Sequence, residues 1–218
     1  MLWLDLGRAG LGVLLGALLL WVHHSFRKGY LRPWAWSWWC FAGARLAAAG
    51  AAWRLSPSLG VLSACLAGLA VGWLLAGAAE LWRTTPLTGR GRLALLLGPA
   101  AIGLGTALAP AAAVVERVQL GVLGFGFLAA AWTVHGSRVW PAGIGTRLVS
   151  TAFVLLAGTQ ALHLFVEPAQ LPALAVLGLL LEAAVGFGMV VGLLEGERAR
   201  SSRALAEVER LAYHDTST

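Results

Sequence analysis

Charge is what this chain has least of. Asp, Glu, Lys and Arg together make up 12% of its 218 residues, while 59% are hydrophobic. A soluble domain carries about a quarter charged residues, so too little polar surface exists to wrap a water-soluble globule, and lipid is the expected solvent. Lysine occurs once, at Lys28, and aspartate only near the ends, at Asp5 and Asp215. The absence of a lysine from the last apolar run excludes a retinal Schiff base of the microbial-rhodopsin kind. The absence of paired aspartates inside apolar runs excludes an intramembrane aspartyl protease, and Ser150 has no neighbouring base for serine chemistry. Two cysteines, Cys40 and Cys65, supply no metal or disulfide framework. Their expected depths also differ too much for a bridge, whose Cα atoms approach within about 7 Å.

Long apolar runs, glycine and tryptophan are abundant instead, with 28 glycines and 11 tryptophans. A hydrocarbon core about 30 Å thick takes ~20 helical residues. Seven stretches meet that length approximately: residues 4–24, 34–54, 59–81, 93–109, 113–135, 148–166 and 171–194. Pro33, Pro57, Pro86, Pro110, Pro141 and Pro168 fall at or between their ends, where a missing N–H costs nothing. Pro99 falls inside the fourth stretch and predicts a kink. The first run has no basic leader and no small-residue cleavage site after Trp21-Val22-His23-His24, so it reads as a retained span. The pattern predicts an all-α polytopic membrane protein, with a seven-helix transmembrane domain over 1–194 and a cytoplasmic helix over 195–218.

The net charge of +6 is too scattered for nucleic acid, because the basic residues sit in short clusters between apolar runs. If the N-terminus faces out, twelve basic residues lie on the inner side: Arg27, Lys28, Arg32, Arg83, Arg90, Arg92, Arg138, Arg147, Arg198, Arg200, Arg203 and Arg210. Arg8, Arg54 and Arg117 lie on the outer side. That bias predicts N-terminus out, C-terminus in, and an odd number of spans. Tryptophans at Trp3 and Trp53 mark the outer interface; Trp34, Trp36, Trp82 and Trp140 mark the inner one.

Charges inside a bilayer are costly and default to function. Arg45 and Glu182 lie about midway along their spans and form the expected ion pair. Such a pair reads either as a bridge between the second and seventh helices or as the lining of a ligand cavity. Gln160 and His163 share a helical face and, with Thr159, Glu116 and Arg117, predict a polar vestibule near the outer side. Interhelical hydrogen bonding reads the same residues equally well. His23, His24 and His135 match no ligand spacing, so no metal or other cofactor is expected. Glu80 reads as a snorkelling or locally paired carboxylate. Gly12 and Gly16, the set Gly121, Gly124 and Gly126, and the set Gly186, Gly188 and Gly192 predict close helix approach.

From Glu195 on, the composition becomes charged and helical. Ser201, Leu205, Val208 and Ala212 follow a 4-3-4 spacing, the seam of a short two-stranded coiled coil, with Arg198 weakening it. The alternative is an amphipathic tail lying on anionic lipid. The run Leu211-Ala212-Tyr213-His214-Asp215-Thr216 resembles the opening of a GGDEF diguanylate cyclase domain. Tyr30-Leu31-Arg32-Pro33-Trp34-Ala35-Trp36-Ser37-Trp38 resembles the start of the second helix in multi-span sensor regions fused to cyclases and histidine kinases. On that segment Tyr30, Arg32, Trp34 and Trp38 read as an interfacial anchor. Together the resemblances imply the membrane half of a bacterial inner-membrane signalling protein, with a GGDEF or GGDEF/EAL output domain missing beyond Thr218. The chain holds no GG(D/E)EF motif, so no enzymatic activity of its own is expected. The implied function is a sensory input module for a lipid or hydrophobic small molecule, acting through a homodimeric exit helix. A small-solute transporter or channel is the alternative.

Overall fold

The computed structural model describes residues 2–53, 55–56, 58–83, 87–107, 112–137, 142–165 and 171–215, without the side chains of 2, 106–107, 112–116 and 212–215. All regular structure among them is helical: α1 Leu2–Phe26, α2 Leu31–Ala52, α3 Ser58–Arg83, α4 Gly89–Ala107, α5 Ala112–His135, α6 Ile144–Leu162 and α7 Leu171–Asp215. Each of the seven expected stretches is a helix, with ends shifted by a few residues. Four of them, α1, α3, α5 and α7, are long and apolar enough to cross a membrane. The others are less apolar: α4 opens on Arg90 and Arg92, α6 carries Arg147, Gln160 and several threonines, and α2 spends its 22 residues on tryptophans, serine, two arginines and small residues. The expectations placed on Pro57, Pro86, Pro110, Pro141 and Pro168 lie outside the described residues. Pro33 sits within the first turn of α2, where its absent N–H has no helical partner to lose.

Packing partners define a closed ring. α1 packs on α2, α2 on α3, α3 on α5, α5 on α6, α6 on α7, and α7 returns to α1; α4 lies outside, against α3 and α5. Directions follow from which residues meet. Gly12 and Gly16 of α1 face Ala42 and Ala35 of α2, so those helices are antiparallel. Gly178 and Gly186 of α7 face Arg8 and Leu15 of α1, so those two run parallel. Gly126 of α5 and Gly136 just past its end face Val71 and Trp82 of α3, again parallel. Successive helices therefore alternate in direction. α1 begins at what is called here the Asp5 end, and α7 leaves through the opposite, Glu195 end.

The ring is filled by Trp34, Trp38, Phe41, Leu74, Phe127, Phe153, Leu156, Val185 and Met189. Phe127 and Phe153 stack at 5.9 Å across α5 and α6. The void left among Ser37, Trp38, Phe41, Leu74, Phe127 and Phe153 has a volume of about 20 Å³, enough for one water. The core around that void is packed.

Glycine sets the closest crossings. A Cβ on Gly145 of α6 would lie 2.5 Å from the Cα of Gly192 and 2.7 Å from the carbonyl oxygen of Gly188 on α7. Gly68 and Gly72 of α3 let α4 approach at Pro99 and Leu95. Pro99 cannot donate to the Leu95 carbonyl four residues back, and that carbonyl is the one Gly72 faces. The α5 glycines expected to allow close approach do not share one side of the helix. Gly124 faces Ala157 and Gln160 of α6, while Gly126 meets Val71 of α3, because two residues along a helix turn through about 200°. Gly145→Leu should therefore overpack the α6–α7 crossing and cost about 1–3 kcal/mol or more. Gly158, whose added Cβ meets nothing within 4 Å, should accept leucine without loss. Thermal unfolding of both variants in detergent micelles checks the contrast.

Candidate functional site: an ion-pair cluster joining α1, α2 and α7

α1 places Asp5 and Arg8 one turn apart, α2 contributes Phe41 and Arg45, and α7 contributes Glu182. Arg8 and Glu182 form the central pair. The Arg8 Nε donates to Glu182 Oε1 at 2.9 Å, and its NH2 group donates to the same oxygen. Their side chains are 2% and 0% exposed. Gly178, one turn before Glu182, leaves the room that the guanidinium occupies. Arg45 pairs instead with Asp5 at 3.8 Å, and both remain partly open. The Phe41 ring centroid lies near both cations, 5.0 Å from the Arg45 guanidinium carbon and 5.8 Å from that of Arg8, within cation–π range.

Two expectations are corrected here. Arg45 is not the ion-pair partner of Glu182, and Arg8 is not an outer-rim residue. Parallel packing of α1 on α7 brings Arg8 to the depth of Glu182, whereas antiparallel packing of α1 on α2 brings Arg45 to Asp5. The signal was a seven-residue recurrence. Arg8 shares a buried stripe with Leu15 and Val22, and Glu182 shares one with Ala175 and Met189. Two charges in the a/d pattern of facing helices are pointed at each other.

Both Arg8 hydrogen bonds go to one carboxylate oxygen. The other, Glu182 Oε2, is buried without a hydrogen-bond partner among the described residues, as is the Trp38 Nε1 donor. A buried polar atom left unpaired costs about 1–3 kcal/mol, so the cluster is held by surrounding packing rather than being fully satisfied.

The interfacial anchor is also corrected. Trp34 is 0% and Trp38 4% exposed, and Tyr30 is buried as well; only Arg32 of that set is exposed. The Trp34 indole N–H donates to the Leu74 carbonyl at 3.2 Å, inside the bundle. Tyr30, Trp34, Trp38, Phe41 and Arg45 recur at 4-4-3-4, one face of a helix, and that face is the core. The exposed aromatics of α2 lie off the stripe, with Trp36 stacked on Trp73 at 6.5 Å.

The vestibule residues are not brought to the ion-pair cluster. Gln160 is buried and lines a pocket between α5 and α6. His163 bonds through Nδ1 to the Thr159 carbonyl at 2.8 Å, and Arg117 is exposed on α5. The Glu116 side chain lies outside the described residues.

At the Glu195 end, α7 is clasped by carboxylates that sequence reasoning did not single out. Glu195 accepts hydrogen bonds from the backbone N–H groups of Ile144, at 3.0 Å, and Gly145, at 3.2 Å. It thus caps α6 from a neighbouring helix, where unpaired N–H groups and the helix dipole favour a negative charge. Glu197 sits 3.5 Å from Lys28 in the α1–α2 turn. That turn is fixed by Arg27 at φ 50° and by the His23 Nδ1 contact to the Lys28 carbonyl at 2.8 Å. Glu80 on α3 is not locally paired: Arg92 of α4 donates to it through Nε at 2.8 Å. Beyond the clasp, 201–211 are exposed throughout, Ser201, Leu205 and Val208 included, while the Ala212 side chain lies outside the described residues.

Comparison with protein-family models, curated proteins and solved structures finds no match to this chain.

Replacing Arg8 by methionine should cost about 3–5 kcal/mol, because it strands a buried carboxylate. The double change Arg8→Met with Glu182→Leu should return close to the parent's stability. Reversible unfolding in mixed micelles measures both together with Glu182→Leu alone, and a double-variant loss equal to the sum of the two single losses would show that the pair is not coupled.

Proposed function

We propose that this chain is the sensory input module of a bacterial inner-membrane signalling protein, with all seven helices crossing the bilayer, the N-terminus out and α7 leaving into the cytoplasm. It detects a lipid or other apolar small molecule and acts through a dimeric exit helix on a cyclic-di-GMP synthesis or degradation domain. The observation that carries this reading is the continuity of α7, an unbroken helix from Leu171 to Asp215. At 1.5 Å per residue its 45 residues reach about 67 Å, more than twice the ~30 Å hydrocarbon core. The same rigid element thus carries Glu182 in the bundle and the resemblance to a GGDEF opening at its far end.

The surroundings support it. Trp3, Trp21, Phe125, Trp132 and Phe187 present large exposed apolar surfaces around the bundle, which water does not tolerate and lipid does. Alternating helix directions agree with an odd number of crossings and with the excess of basic residues at the Glu195 end. Leu205, Val208 and Leu211 are exposed on the departing helix. The ion pairs Arg200–Glu197 and Arg210–Glu207 support that helix at i,i+3 spacing, for about 0.2–0.5 kcal/mol each. A rigid helix leaving a bundle transmits rotation or translation of its inner half directly, and two such helices pair differently when they turn.

The test is the full chain fused in frame to a GGDEF domain, with one to four alanines inserted after Arg203 and cyclic-di-GMP measured in cells. Output should oscillate with the period of the helix, about 3.5 residues. Output that declines smoothly with insert length, or ignores it, would overturn coupling through α7.

A further inference from the structure

Between α5 and α6, on the outside of the ring, runs a furrow with a pocket of about 570 Å³ near the Asp5 end and one of about 410 Å³ toward the Glu195 end. Both are lined by Leu128 and Val154, so the two form one continuous depression. Each volume falls in the range of small-molecule sites, about 300–1,000 Å³. The floor of the larger pocket is opened by Gly121, Gly124 and Gly158, and its walls are Phe125, Leu128 and Leu164. From Leu120 to His135 the furrow follows α5 for about 22 Å, the order of a single extended hydrocarbon chain.

Gln160 is the polar side chain that lines the larger pocket, while His135, Ser150 and Thr151 line the smaller one. Gln160 is 3% exposed and lines the larger pocket, yet among the described residues its carboxamide has no hydrogen-bond partner. Buried amides are ordinarily satisfied, so the two N–H donors of Gln160 call for an acceptor that enters from the furrow. Among the described residues no acidic side chain lines the pocket. Arg117 stands exposed on α5 one turn beyond Gly121, on the same helical face. Donors and a cation at the Asp5 end, an apolar middle from Gly121 to Val154, and space for one chain describe an acid headgroup with a hydrocarbon tail; His135, Ser150 and Thr151 lie at the far end.

We propose that the α5–α6 furrow binds a long-chain fatty acid. Its carboxylate accepts from the Gln160 amide near Arg117, and its chain lies over Gly121, Gly124 and Gly158 toward Trp132 and Thr151. This deepens the reading of the chain as a lipid-responsive module and rests on its membrane-spanning part. A wedge in this furrow bears on α6, whose N-terminus is the element held by Glu195 of α7.

The experiment uses the full chain in phosphatidylcholine nanodiscs and palmitic acid carrying a terminal diazirine, with cross-links mapped by mass spectrometry. Saturable labelling within 121–132 and 154–161, displaced by unlabelled palmitate, is expected. Gly158→Leu, which fills open space, should reduce it at least tenfold, and Gly121→Leu should do the same as an independent variant. Gln160→Leu should weaken the acid probe several-fold while leaving a diazirine alkane unchanged. Labelling that is unsaturable and equal at Trp3 and Phe187 would mean bulk lipid contact and overturn the site. A matching fatty alcohol that labels equally well would overturn the carboxylate assignment. A change of oligomeric state in Gly158→Leu by native mass measurement, with labelling retained, would make the furrow a contact between copies and overturn the ligand. None of these failures alters the insertion phase of the GGDEF fusion, so the coupling reading is judged separately.

Discussion

The ring exists because α7 comes back to α1, and the Arg8–Glu182 pair is the polar bond of that closure. An apolar contact alone would let the two helices slide or rotate past each other, since lipid offers nearly the same environment as a neighbouring leucine. A buried charge pair does not slide, because displacement by one turn strands both ions. Gly178 and Gly186 then fix the remaining register, one by admitting the guanidinium and the other by admitting Leu15. The rest of the cluster is looser. Arg45 and Asp5 face one another across a longer gap with partial exposure, so the buried pair is flanked by a weaker one nearer the Asp5 end.

The two ends of α7's membrane portion are therefore held by different chemistry. Glu182 is bound by a side chain inside the bundle, whereas Glu195 is bound by backbone N–H groups at the start of α6. The second attachment requires α6 to keep its first turn in place, and the close crossing at Gly145 and Gly192 keeps it there. A ligand acting on α6 and one acting on α1 would both reach the same departing helix, by separate routes. The clasp between Glu197 and Lys28 adds the α1–α2 turn to that junction.

Apolar run lengths made the seven helices legible, and glycine spacing foretold where several would cross. The partners inside the bundle were less legible, because depth along a sequence does not reveal which helices are neighbours. Arg45 and Glu182 share a depth in the sequence, yet α2 and α7 do not pack on one another. Arg8 was masked by its closeness to the N-terminus, although its seven-residue spacing to Leu15 marked it as inward. Trp34 and Trp38 were misplaced by composition, since tryptophan beside arginine suggests an interface, whereas the 4-4-3-4 stripe from Tyr30 to Arg45 placed them in the core. The Glu195 cap joins residues 50 apart in sequence and carries no local signature at all.

Among the described residues α4 packs on α3 and α5 and contributes nothing to the central core, yet it decides where everything after it points. α3 and α5 are neighbours that run the same way, and two such helices cannot be joined without a return stroke between them. α4 is that stroke. Without it, α5, α6 and α7 would each be reversed, and the charged tail would emerge on the same side as Asp5. A helix peripheral to the packing is in this sense the parity element of the chain: its presence, more than its sequence, assigns the side on which the long tail emerges.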